Sequence, residues 1–134
     1  MRIVHAIREA ERRSSGEIRV FVESKVKGDI LARAKKVFEK MGMTRTRQRN
    51  GVLLYFAVSD RAFSVLGDRG IHERVGDPLW KQITDSLSAD FAKGEFAAGL
   101  ERGVQQVGSA LAKYFPFSAT DKNELPDDIE KGRR

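Results

Sequence analysis

A chain of 134 residues, 40% hydrophobic and 33% charged, has room for one core and one domain, and its composition is globular rather than disordered. The absence of cysteine excludes disulfides, thiolate catalysis and Cys-ligated zinc; with only two histidines, any metal is expected to be a hard cation held by oxygens. The formal charge of +6 permits contact with nucleic acid or an anionic membrane, but the basic residues read as scattered and no aromatic RNA-binding signature accompanies them, which argues against a nucleic-acid partner.

The N-terminal "MRIVHAIREAERR" is a charged amphipathic helix rather than a signal peptide, and no apolar run approaches the ~20 residues of a membrane span. Ile3, Ile7 and Ala10 set a helical spacing over residues 2–13, which "SSG" stops at 14–16. Alternation of Ile18, Val20 and Val22 predicts a strand over 17–23. Asp29 then caps a helix whose apolar stripe is Ile30, Ala34, Val37, Phe38 and Met41. A polar, basic loop follows at 42–50. The nearly unbroken apolar run 51–59 suits a central strand covered on both faces, and Asp60-Arg61 links it tightly to a third strand over 62–67.

The stretch "LGDRGIHERVGDP", 66–78, reads as a loop, with Asp77-Pro78 opening a helix that turns Leu79, Trp80, Ile83, Leu87 and Phe91 inward. A last helix carries Phe96, Leu100, Val104, Val107, Leu111 and Phe115, its glycines allowing close packing on the sheet, and Pro116 ends it. Residues 1–116 thus form the domain and 117–134 a tail with an acidic cluster and a basic end. The order strand–helix–strand–strand–helix–helix predicts an α/β fold, a sandwich around a small mixed sheet, without a Gly-rich phosphate loop.

Connectivity also predicts a site. A strand–helix–strand unit makes the first two strands parallel, and a hairpin returns the third. Glu17, Asn50, Asp68 and the loop of His72, Glu73 and Asp77 then converge at one end of the sheet, with Arg45, Arg47 and Arg49 as neighbours, while Asp60-Arg61 falls at the other. Carboxylates with an amide and backbone carbonyls suit Ca²⁺ or Mg²⁺, and guanidinium groups suit phosphate. Each residue also has a structural reading: Asp77 as a helix cap, Asp68 and Asn50 as turn residues, Glu73 at a helix start, Glu17 as a strand opener, and the arginines as a solvated loop.

Four segments, "SSGEIRVFVE", "NGVLLYFAVSDRAFSVLGDRGIHERVG", "FAKGEFAAGLERGV" and "NELPDDI", resemble in order and spacing the TPM domain family, over about Ile3 to Gly132. The resemblance is carried by Ser15-Gly16-Glu17, Asn50-Gly51, Asp60-Arg61 and Gly67 to Glu73; the last departs from the common form by reading G-D-R-G-I-H-E, with Asp68 inserted. It implies a three-layer α/β/α domain around a mixed sheet. Relatives include short bacterial proteins with a similar tail and thylakoid-lumen proteins of photosystem repair, for which acid phosphatase activity and Ca²⁺ binding are described. The membrane anchor of many bacterial members has no counterpart in this sequence, so the expectation is a cytoplasmic protein; a monomer is expected besides. The leading expectation for function is an accessory module binding Ca²⁺ or Mg²⁺ through Asp68, Glu73, Glu17, Asp77 and Asn50. The alternatives are a metal-assisted phosphatase with Arg47 or Arg49 holding phosphate, and a metal-independent protein-interaction module using the acidic tail and basic loop.

Overall fold

Two sequence patterns build the centre of the molecule. The alternating residues Glu17–Glu23 form β1 and the apolar run Gly51–Ala57 forms β2, every residue of which is buried. The computed structural model describes residues 2–116, the side chain of Arg2 excepted. Helices α1 (Arg2–Arg12) and α2 (Ile30–Lys40) flank β1 in sequence, and β3 (Ala62–Gly67) follows β2. Helices α3 (Arg69–Ala92) and α4 (Phe96–Tyr114) complete the chain. The sheet order is β1-β2-β3, with β1 and β2 parallel and β3 antiparallel to β2, as connectivity predicts.

Alternate side chains of the sheet feed two cores. Ile18, Val20, Val52, Leu54 and Phe56 pack with α1, α3 and α4 through Ile7, Ile83, Leu87, Val104 and Leu111. Leu53, Tyr55 and Ala57 pack on the opposite face against Ala34, Val37 and Phe38 of α2 and against Met43. This is the three-layer α/β/α architecture expected. Truncating one of its fully buried leucines, such as Leu54, is expected to destabilise by about 2–5 kcal/mol. Asp29 caps α2 as predicted, its Oδ2 accepting from the Ala32 N–H at 2.8 Å.

Several expectations are corrected. The stretch after β3 is not a loop: a first helical segment starts at Arg69, capped by Asp68, and runs to Gly76, while the helix expected from Asp77-Pro78 onward is the second segment of α3. Gly76, at φ +75°, breaks the helical path two residues before Pro78, whose missing N–H suits a fresh helical start. The Asp77 side chain is 93% exposed. The early start depends on Gly70, where a Cβ would lie 2.0 Å from the Gln48 carbonyl oxygen. The loop 42–50 contains a short 3₁₀ turn, Met43–Arg45, with Met43 fully buried. The glycines of α4 make their tightest approaches to helices rather than to the sheet: a Cβ on Gly99 would meet Asp90 at 2.7 Å and one on Gly108 would meet Ala10 at 2.6 Å. Nor is the positive charge scattered. Residues 24–50, which include α2, carry nine Lys and Arg against two acidic residues, a net of +7 beside +6 for the whole chain.

Candidate functional site

The register brings the expected residues to one end of the sheet. Glu17 pairs with Gly51 and Val52 with Gly67, so β1 and β2 begin where β3 ends. The Asp68 N–H continues the ladder to the Gly51 carbonyl at 2.9 Å, and the Ile71 N–H reaches the Arg49 carbonyl at 3.2 Å.

Arg49, assigned to phosphate by sequence, and Asp68, assigned to metal, bind each other. The guanidinium donates from Nε to Asp68 Oδ2 at 2.6 Å and from Nη2 to Oδ1 at 2.8 Å. Oδ1 also accepts the Arg69 N–H at 2.8 Å, which caps α3. Arg49 reaches this position from a left-handed backbone, φ +53°. Its pKa is held above the usual arginine value, first by the hydrogen bonds to Asp68. Asp68 is 7% exposed, so the carboxylate side of the pair is shielded, while the Arg49 side chain, 31% exposed, keeps one side open to solvent.

Glu17 lies in a separate, deeper cluster. Arg19 reaches Glu11 Oε2 at 3.1 Å and Glu17 Oε1 at 3.4 Å, with all three residues nearly inaccessible. Glu11 Oε2 also accepts the Ile18 N–H at 2.9 Å, and Arg19 donates to the Ile18 carbonyl at 2.7 Å. The cluster therefore covers part of the free edge of β1, a position that otherwise leaves ladder groups unpaired. Asn50 joins a third group: its Nδ2 donates to Ser15 Oγ at 3.2 Å, and Ser15 donates to Gln48 Oε1 at 2.6 Å.

The remaining predicted residues lie outside this buried layer. Glu73 and Arg47 are exposed. Asp77 lies 3.7 Å from His72 Nε2, and the His72 ring stacks on Trp80 at 6.3 Å. Asp68 and Arg49 are thus in contact and Asn50 shares their end of the sheet, while Glu73 and Asp77 face solvent. Among the described residues no three His, Cys, Asp or Glu side chains are grouped so as to hold a metal. As they stand, the residues offer a cation one chelating carboxylate, engaged by Arg49. A groove of about 330 Å³ between α3 and α4, lined by Val75, Leu79, Ile83, Gln106 and Tyr114, includes none of the predicted site residues.

Sequence reasoning missed Glu11 and Arg19. The signal was present: Glu11 falls four residues after Ile7, on the apolar stripe of α1, and Arg19 sits between Ile18 and Val20, with Glu17 two residues before it in the strand. It also missed the partly exposed group at the opposite end, where Arg33 binds Glu23 through Nε at 2.8 Å and buried Tyr55 donates to the same carboxylate.

The class is that of three-layer α/β/α domains built on a small mixed sheet of three strands. The chain belongs to the TPM domain family, whose pattern matches residues 1–110. It is similar to the BA42 protein of the psychrophilic bacterium Bizionia argentinensis, known from an NMR structure: 44% identity over 93% of this chain and 86% of that one, TM-score 0.87. The N-terminal domain of the cg2496 protein of Corynebacterium glutamicum, 13% identical over 98% of this chain and 76% of that one, shares the fold with a TM-score of 0.60. No curated protein matches the sequence. No helix among the described residues is long and apolar enough to cross a membrane.

Proposed function

We propose that this TPM domain is a non-catalytic accessory module whose sheet-end loops take up Ca²⁺ or Mg²⁺ weakly at Asp68. The observation that carries the reading is the seat of Asp68. Where the strand ends meet, its two oxygens are presented side by side to a single cationic group, Arg49. A carboxylate that chelates a guanidinium has the shape to chelate a hard divalent cation. The other ligands would be the Asn50 amide, backbone carbonyls and water, with exposed Glu73 and Asp77 adding negative potential; such a shell gives low affinity. Glu17 stays with Arg19 and takes no part.

In this reading Arg49 is the competitor, which fixes the sign of the test. In an NMR titration with CaCl₂ or MgCl₂, amides of residues 67–77 shift in the wild type, Arg49→Gln shifts at lower metal concentration, and Asp68→Asn does not shift. No shift at millimolar metal in either the wild type or Arg49→Gln overturns the proposal. The exchange also releases the Arg49 guanidinium. Phosphate binding at this end, with exposed Arg47 in the same loop, is therefore expected only when the divalent cation is present.

A further inference from the structure

Among the described residues the α2 layer carries a dense group of basic side chains that the site above does not use. On and after α2, Lys35, Lys36, Lys40 and Arg45 are all exposed, and Leu31 is 45% exposed among them. The acidic residues of this layer are few: Asp29 is occupied as the α2 cap and Glu23 by Arg33, and Glu39 is the other. Such a face attracts a polyanion.

The chain itself supplies one. Residues 121–130, "DKNELPDDIE", hold five acidic side chains against one lysine. The described chain ends at the sheet end that carries the 42–50 loop. Pro116 bridges to Ser14, the Ser15 N–H binds the Phe115 carbonyl at 2.8 Å, and Ser15 Oγ binds Gln48 at 2.6 Å, in the loop that follows Arg45. Because α2 runs opposite to the parallel strands on either side of it, its C-terminal end, Lys40, faces this same end of the sheet. Asp121 lies five residues past Pro116, a reach of up to about 17 Å, and Glu130 lies fourteen past it, up to about 48 Å. α2 is only about 16 Å long.

We infer that the acidic segment Asp121–Glu130 docks on the basic face formed by Arg45, Lys40, Lys36 and Lys35 of its own chain. Tethering raises the effective concentration of the segment, so individually weak exposed pairs add up. The docked tail would occupy the face that any external polyanion must use, making the tail its competitor. This inference is independent of the reading at Asp68, and its test contains no metal.

The chain has no cysteine, so Asn123→Cys gives a single site for a nitroxide label without altering charge. In the full-length labelled protein at low salt, paramagnetic broadening is expected to be strongest at amides of residues 35–45. It should fall several-fold in 1 M salt, where the Debye length drops to about 3 Å, and by a similar factor in Lys36→Glu/Lys40→Glu. Strongest broadening along Val75–Ile83 and Gln106–Tyr114 would place the tail in the α3–α4 groove and overturn the inference. So would broadening unchanged by charge reversal. Equal broadening in unlabelled, isotope-enriched chains mixed with labelled ones would place the tail on a second copy, and also overturns it.

Discussion

The two ends of the sheet solve the same problem differently. Where β1 and β2 begin, charged and polar side chains are buried: Glu11, Glu17, Arg19, Asn50 and Asp68 are each no more than 7% exposed. At the other end the Glu23–Arg33 pair is a quarter to a third exposed, and on the opposite face of the sheet Phe56, Phe63, Phe91 and the exposed Phe96 are in edge and stacked contact. A buried charge whose partner is removed has no water to replace it, whereas an exposed one has. The same kind of interaction is therefore a structural requirement at one end and a minor contribution at the other.

The sharpest way to break the contrast is Arg19→Met. It leaves Glu11 and Glu17 buried without their shared cation, and is expected to destabilise by about 3–5 kcal/mol in urea unfolding. The corresponding Glu23→Gln change at the other end is expected to cost at most about 1 kcal/mol. Equal losses would show that burial does not govern the difference.

A smaller effect separates two aspartates that look alike in sequence. Asp68→Ala removes the α3 cap and both hydrogen bonds to Arg49, and about 2 kcal/mol of stability is expected to go with them. Asp77→Ala, at a 93% exposed side chain, is expected to stay within about 0.5 kcal/mol of wild type. Chemical denaturation of the two variants side by side checks the order.

That pair of aspartates also marks how far the sequence could be read. Strand order, direction and the convergence of Glu17, Asn50 and Asp68 follow from connectivity, because a parallel unit followed by a hairpin leaves few arrangements. The helical restart at Asp77-Pro78 was legible; the first segment of α3, from Arg69 to the break at Gly76, was not. "GDRGIHERVG" has weak helical preference, Asp77-Pro78 is a strong local start signal, and the earlier start rests on Gly70 lying against the carbonyls of Gln48 and Arg49. Tertiary contact overrode local preference there. Nor could sequence say which arginine meets Asp68. Arg49 does so from φ +53°, a conformation uncommon outside glycine, while Arg47 two residues earlier is exposed.

The last comparison lies at the more exposed end and is read through pH. Burial, reinforced by its hydrogen bond to Glu23, pushes the Tyr55 hydroxyl from the ordinary 10 up to about 12. A raised folded pKa favours the protonated form, so this contribution to stability is complete below pH 10 and is lost as pH rises towards 12. Glu23 has the opposite sign. Its pKa is lowered, first by the hydrogen bond from Arg33 and then by that from Tyr55, so its contribution is present above the ordinary carboxylate range and fades as pH falls through the lowered value. A tyrosinate absorbance titration is expected to show one late step from Tyr55 that disappears in Tyr55→Phe. In Glu23→Gln the step should move down only in part, because burial, the larger cause, remains. A step that fell all the way to the ordinary value in Glu23→Gln would make the carboxylate, not burial, the dominant influence on Tyr55.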